Sequence, residues 1–530
     1  MSRTLRAGPL TLSLEEGGVR HVRFGPREVL RRIYGAVRDR NWNTVVTRLS
    51  DVEVEERPDS FRAAFRASCV EGPIDFGWAG EIRGDGAGTI TFRMEGQARA
   101  DFLRNRIGLC VLHPIRECAG SPCAVNGAPA RFPRLVSPHQ PFKEIRTIAH
   151  EVLPGLQAEV SLDGDLFEME DQRNWTDASF KIYSTPLERP FPVPVRRGDR
   201  VVQTVTLRLQ GDARPEPSGG PLSFSIEEGP AVPFPALGVT LKGRLGPADL
   251  DRLRPLRLSH LRVDLDPGHP DAPVTLARAW GSARAIGARL EIAAHGEDLR
   301  RLAGILVETR AEVSAVLVFD GLPAARAALP GVRIAGGTDA YLAELNRRRP
   351  PAGADLVCFS ANPQVHHSDD LTLVENLEGL AEAVATARTF GAPVAVTPVT
   401  LRPRFNPNAT AVDPEPAPDP RQRGPFAAAW TVGALKHLAG ASSATLFEAA
   451  GPRGLFEGDA LFPVYRVLAD VAGAEAVLPT RSTDPLRVDG LAFRRKGRIR
   501  VLLANLTGEP QRVEARGETL DLAPYEVRTR

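Results

Sequence analysis

Between residues 231 and 475, eight short apolar runs follow one another, with an amphipathic stretch after nearly every one. No other feature constrains the fold as tightly. The apolar runs fall at 238–242, 260–266, 289–295, 315–320, 332–336, 355–360, 393–399 and 444–448, each of strand length. Helical periodicity occupies the gaps at 247–254, 275–286, 297–308, 371–390 and 426–438. A strand that returns parallel to its predecessor needs a long crossover, normally a helix. Eight such repeats in about 240 residues predict a closed (β/α)8 TIM barrel.

The flanks read differently. Residues 1–230 carry strand-like runs at 61–67, 89–94, 158–162 and 201–209, broken by turn signals such as Gly84-Asp85-Gly86 and Asp163-Gly164-Asp165. This spacing predicts an N-terminal antiparallel β-sandwich. The stretch 210–230, with Pro-Glu-Pro-Ser-Gly-Gly inside it, reads as a linker. After the barrel, residues 476–530 return to strand-like runs and predict a small C-terminal β-domain. The expected architecture is multidomain, α/β plus β, with domains at 1–230, 231–475 and 476–530. It is a plan common among glycoside hydrolases, which draws expectation toward carbohydrate chemistry.

Charge narrows the choice of partner. Lys and Arg total 67 against 65 Asp and Glu, a net charge of +2, which leaves no electrostatic footprint for nucleic acid or an anionic membrane. No apolar run is long enough to span a bilayer, and the first residues lack the apolar core of a secretory signal. An odd set of five cysteines (69, 110, 118, 123 and 358) fits reduced cytoplasmic thiols better than disulfides. Cys118 and Cys123, with His113 nearby, suggest zinc only weakly, because a second ligand pair is missing; ordinary loop and core cysteines are the better reading. The oligomeric state is left open.

One window resists a structural explanation. Phe167-Glu168-Met169-Glu170-Asp171-Gln172-Arg173-Asn174-Trp175-Thr176-Asp177 threads apolar residues through charges with neither helical nor strand periodicity. Such charges are costly to bury unless they pair with each other or with a ligand. Together with Asp39-Arg40-Asn41-Trp42-Asn43-Thr44 and Phe102-Leu103-Arg104-Asn105-Arg106-Ile107-Gly108, this window resembles the D-apionate lactonase family. The similarity extends through Ser137-Pro138-His139-Gln140 and Gly336-Gly337-Thr338-Asp339 to Phe447-Glu448. It implies a bacterial enzyme that opens D-apionolactone to D-apionate during breakdown of the branched sugar apiose. No catalytic residue set comes with the resemblance, so roles rest on the residues themselves.

In a barrel of this kind the site lies at the C-terminal ends of the strands. Polar residues gather there: Asp264, Asp266, His295, Asp320, Thr338, Asp339, Ser360, Asn362, His366, His367, Thr397 and Glu448. Glu448 is the first candidate general base, since apolar walls at the end of the eighth strand would raise its pKa. Pairing with Arg402 or Arg404 is the competing reading. Asp320 is a second candidate acid, and His366 a candidate oxyanion donor or metal ligand. His295, Asp339, Asn362 and His367 are expected to contact substrate. From the window, Glu168, Glu170, Asp171, Arg173, Asn174 and Asp177 would bind the hydroxyls of a polyol acid, with Trp175 stacked on its apolar face. An interdomain ion-pair network is the alternative for the window.

Retaining glycosidases need two carboxyls about 5 Å apart, one of them at the end of the seventh strand. Here that position holds Thr397-Pro398, so the pair is not intact. There is no Gly-x-Ser-x-Gly elbow, His-Glu-x-x-His helix or phosphate-binding loop. The leading expectation is a cytoplasmic sugar-acid lactonase that takes a small sugar lactone and needs no cofactor; a divalent metal held by Asp or His stays open. A glycoside hydrolase using Asp320 with Glu448 is the runner-up. A non-catalytic carbohydrate-binding protein is the third.

Overall fold

The computed structural model describes residues 3–211, 213–216, 219–350, 352–412 and 414–530. These form two compact units. The first comprises Met1–Gln172, Ala178–Gly220 and Asn406–Pro414; the second comprises Arg173–Asp177, Pro221–Phe405 and Glu415–Arg530.

The first unit is the expected sandwich, an antiparallel sheet of eight strands facing one of nine. Strict alternation drives it. Phe61–Glu71 buries every second side chain through Phe61, Ala63, Phe65, Ala67 and Cys69, while the intervening residues face outward. The core between the sheets is built from such inward rows, among them Phe76, Phe92, Met94, Ile107, Phe167 and Ile182.

The second unit holds the barrel. Its strands are Ala236–Thr240, His260–Leu265, Arg289–Ala294, Val313–Val318, Ile334–Gly337, Leu356–Ala361, Val394–Val399 and Ser443–Glu448, and they close into one ring. Every neighbouring pair is parallel, the eighth strand returning to the first. The predicted strands fall on these within a few residues because each is a short apolar run bounded by helix or turn signals. The helix expected over 371–390 is two, Asp370–Glu375 and Leu377–Arg388.

The linker expected over 210–230 ends early. Ser223–Ile226 is a strand that pairs with Thr480–Ser482 and Gln511–Ala515, and Val232–Pro233 pairs with Ala476–Leu478. The C-terminal β-module therefore takes two strands from before the barrel. Its core joins Leu222 and Phe224 to Val488, Val501, Leu503, Val513 and Leu522. Four residues of Ser-Phe-Ser-Ile carry too little periodicity to stand out from Gly- and Pro-rich surroundings. Among the described residues, no helix is long and apolar enough to cross a membrane.

Candidate active site at the barrel mouth

The second strand sends His260, Arg262 and Asp264 inward at alternate positions, which replaces the usual aliphatic lining with a charged column. At its foot the His260 ring lies under Gly238, where an added Cβ would come within 2.2 Å of the imidazole. Only glycine fits there. Arg262 is fully buried, and all five of its N–H groups have an acceptor. Its Nε and Nη2 donate to Asp264 Oδ1 at 3.2 and 2.7 Å, and Nη2 also donates to Asp339 Oδ1 at 2.5 Å. Nη1 donates to the Thr397 carbonyl at 2.7 Å and to its hydroxyl at 3.1 Å. Arg404 closes the other side, donating to Asp339 Oδ1 at 2.6 Å and to its carbonyl at 2.8 Å.

His295 stands over this pair. Its Nε2 lies 3.4 Å from Asp264 Oδ1 and 3.7 Å from Asp339 Oδ2, and 41% of the side chain remains exposed. Phe319 packs against the ring at a centroid distance of 5.3 Å. Burial alone would raise the Asp264 carboxyl, but the His295 hydrogen bond and the Arg262 and Arg404 charges outweigh it and hold it well below the usual carboxylate range. Burial works against the charge on Arg262, yet Asp264, Asp339 and Glu291 keep the guanidinium more firmly protonated than an ordinary one.

A second cluster follows the sixth strand. Asp177 Oδ2 lies 2.7 Å from His366 Nδ1, and Asp177 Oδ1 accepts from Asn376 Nδ2 at 3.1 Å. Trp175 meets the His366 ring edge-on at 5.8 Å, and the Arg347 guanidinium lies 5.3 Å from the Trp175 ring. The Thr176 hydroxyl donates to the Asn362 carbonyl at 2.6 Å. This loop sits so close to helix Leu377–Arg388 that a Cβ on Gly379 would meet the Thr176 carbonyl oxygen at 2.1 Å. Glycine is unfavourable inside a helix, so the close approach accounts for it. Tyr341 ties the clusters together: burial raises its hydroxyl to about 12, its side chain bonds Asn362, and the charges of Asp177 and Arg404 both act on it.

The sequence-predicted residues thus divide. His295 and Asp339 come together in the first cluster. Asn362, His366, Trp175 and Asp177 come together in the second, with His367 half-buried in the same loop. Asn174 belongs to the barrel unit and accepts from Asn346 at 3.2 Å.

Arg173 corrects expectation. It is fully buried and paired with Glu382 of a barrel helix at 2.8 Å, a strut rather than a grip on substrate. Glu168, Glu170 and Asp171 belong to the sandwich unit. There Glu168 accepts from the Tyr183 hydroxyl at 2.5 Å and from the Leu187 amide at 2.6 Å. Glu170 pairs with Lys181, and Asp171 accepts from the Ser137 amide at 2.9 Å. These are bonds of a sheet and its loops, which satisfy the charges without a ligand.

Asp320 also departs from its expected place. Its strand ends at Val318, and Asp320 lies exposed in the following turn, where it caps the Gly321 amide at 2.8 Å. Glu448 does keep a raised pKa, because burial outweighs the pull of Lys242 and Arg453. Its partner is Lys242 at 3.7 Å; Arg402 pairs instead with Asp419, and Arg404 with Asp339. A left-handed backbone at Phe447 (φ 58°) interrupts the alternation just before it. Asp320, exposed in its turn, and Glu448, facing Lys242, are thus engaged separately.

Sequence reasoning passed over Arg262, Glu291 and Tyr341, and offered Arg404 only as a partner for Glu448. The available signal was the charged alternation His260, Arg262, Asp264 in a strand that should otherwise be aliphatic.

Among the described residues, Asp264, His295 and Asp339 are the group whose ligand atoms all lie within 4.8 Å of one another. Two oxygens suit a hard cation and an imidazole suits a transition metal. Yet Arg262 and Arg404 already offset both carboxylates and occupy Oδ1 of each. Two of the four carboxylate oxygens of the cluster are thus engaged by guanidiniums. Cys118, Cys123 and His113 do not gather to ligand distances in the same sense.

A parallel barrel whose mouth holds an imidazole against two guanidinium-bound carboxylates has the plan of a barrel enzyme, with this cluster as its candidate active site. Three family models match the chain: "D-apionate lactonase, N-terminal domain" over residues 1–212, "TIM barrel domain" over 320–476, and "C-terminal immunoglobulin-like domain" over 485–529. The D-apionate lactonase of Brucella anthropi is 31% identical over 99% of this chain and 96% of its own. The chain belongs to the D-apionate lactonase family. Among solved structures it is similar to a GH30 endoxylanase from Clostridium papyrosolvens C71, at 10% identity and a TM-score of 0.41 over 58% of this chain and 98% of that one. It is also similar to a β-arabinopyranosidase, at 11% identity and a TM-score of 0.31 over 100% of this chain and 98% of that one.

Proposed function

We propose that this chain hydrolyses D-apionolactone to D-apionate in the cytoplasm, with His295 as the general base. The reading is carried by one observation: an exposed imidazole is backed, at the strand ends of the barrel, by carboxylates that are themselves fixed by Arg262 and Arg404. Membership of the lactonase family supports the substrate class.

Asp264 and Asp339 face His295 Nε2 and fix its N–H on that side, which leaves Nδ1 as the acceptor. A water held there attacks the acyl carbon, and its proton passes to Nδ1 as the carbon–oxygen bond forms. The tetrahedral oxyanion develops beside Arg404, the guanidinium of the pair whose side chain keeps 16% exposure. Collapse breaks the ring ester bond. The leaving alkoxide takes the proton back from the imidazolium, and the product is an open hydroxy acid ionised as its carboxylate. His366, oriented by Asp177, and Trp175 supply the polar and apolar contacts for the polyol. Glu448 remains a second candidate base, favoured by its raised pKa and half-buried position.

The test follows acid release from D-apionolactone alongside phenol release from aryl glycosides, with no nucleotide, redox cofactor or metal added. Acid release with inert glycosides supports the reading. Glycoside cleavage with an inert lactone overturns it.

A further inference from the structure

Beneath the mouth the barrel holds a charge that the mechanism above does not use. Glu291, on the third strand, is 2% exposed. Its Oε1 accepts from the Thr397 hydroxyl at 2.5 Å and from the Thr445 hydroxyl at 3.0 Å. His260 Nε2 lies 2.8 Å from the Thr445 hydroxyl and 3.8 Å from Glu291 Oε2. Burying a carboxylate this deep is expensive, and an aliphatic residue at that position would pack without the cost. A charge at this point needs a reason.

The directions of the bonds supply one. Arg262 Nη1 donates to the Thr397 oxygen, so that hydroxyl has its own proton to give, and it gives it to Glu291. Nη1 is held from below by two bonds, to the Thr397 carbonyl and to its hydroxyl, and the hydroxyl is the one that Glu291 orients. The guanidinium is rigid, so fixing one edge fixes the other. We infer that Glu291 is a positioning residue for the lactonase site, acting through the Thr397 hydroxyl on Arg262 and so on the two carboxylates that orient His295. This rests on the lactonase reading proposed above.

Three consequences separate it from a merely structural role. Misplacing the carboxylates by a fraction of an ångström disturbs the reacting geometry and leaves remote binding contacts alone. Glu291→Gln and Thr397→Val should therefore each lower kcat by about 10- to 100-fold with KM changed less than about threefold. Because both act through one chain of bonds, the double variant should be no slower than the worse single one. Thr397→Ser keeps the hydroxyl and should restore most of what Thr397→Val loses.

The experiment measures kcat and KM for wild type, the three single variants and the double variant on D-apionolactone, with melting temperatures in parallel. In the same proteins, nitrogen-15 NMR follows the Arg262 Nε–H, whose burial and bond to Asp264 should slow its exchange, assigned by its loss in Arg262→Lys. That signal should persist in Thr397→Ser and exchange rapidly in Thr397→Val. It needs no substrate, so an inactive wild type would sink the lactonase reading while leaving the positioning of Arg262 open to measurement. Should Glu291→Gln fail to fold, the Val and Ser variants at 397 still decide. Wild-type kcat in Thr397→Val, equal losses in Val and Ser, additive losses in the double variant, or an Nε–H signal indifferent to Thr397 would each overturn the inference.

Discussion

Replacing Arg173 separates a structural strut from a substrate clamp. Its guanidinium is fully buried and lies 2.8 Å from Glu382, which keeps 22% of its side chain exposed. Removing one partner of a buried pair costs about 3–5 kcal/mol, mostly because the other charge is left behind. Glu382 can partly rehydrate, so Arg173→Ala should fall at the lower end, about 3 kcal/mol. In a unit this large each kcal/mol moves the melting temperature by roughly 2 °C, so a drop of about 6 °C is expected. The kcat/KM of the folded fraction should stay within about threefold of wild type, because the contact runs to a helix rather than to the reacting atoms. Differential scanning calorimetry at two scan rates, with kinetics at 25 °C, measures both. Arg173→Met with Glu382→Leu removes both charges and should recover most of the lost stability. An unchanged melting temperature with collapsed kcat/KM would instead place Arg173 on the substrate carboxylate and refute this reasoning.

Other consequences are open to simple assays. His295→Gln should lower kcat by about two to four orders of magnitude, and wild-type turnover would pass the role to Glu448. Exhaustive chelation should leave activity intact, since Arg262 and Arg404 already compensate the carboxylates; loss restored by a single divalent ion would show the cluster to be a metal site. In the sandwich, burial pushes His150 down to about 4 from an ordinary 6.5, so the unfolded chain binds the proton first on acidification. His150 should therefore contribute about 3 kcal/mol of stability above pH 6.5 that is lost as pH drops to 4. The buried His113 beside it is lowered in the same direction, so His150→Phe should reduce the slope in urea titrations without abolishing it, and an unchanged slope would exonerate His150.

Legibility in the sequence followed the length of the signal. The eight barrel strands stood out because each is an apolar run between helix or turn markers, and parallel strands are buried on both faces. Ser223–Ile226 did not, since its only buried large side chain is Phe224 and its partners lie more than 250 residues away. Site residues were legible as a zone and not as a constellation. The strand-end rule pointed to His295 and Asp339, which the structure brings together, but also to Asp320, which lies exposed and caps its own turn. Arg262 and Glu291 escaped because charged residues inside a strand are normally solvent-facing. Only closure of the ring turns that face inward, and closure is a property of all eight strands together.

The way these charges are arranged bears on which bond the site can break. Cleaving a glycoside requires a carboxylic acid that arrives protonated at the leaving oxygen. Asp264 cannot serve, because His295, Arg262 and Arg404 hold its carboxyl well below the usual range despite its burial. Its Oδ1, already accepting two N–H bonds from Arg262, is likewise unavailable as a nucleophile. A lactone asks for neither. Its acyl carbon is electrophilic without prior protonation, and the charge that develops on attack is an oxyanion, which a guanidinium with an exposed edge, as at Arg404, stabilises. The proton taken from water is the one the alkoxide needs on departure, so a single imidazole serves both halves. Carboxylates locked by arginine are poor glycosidase groups and good supports for such a base.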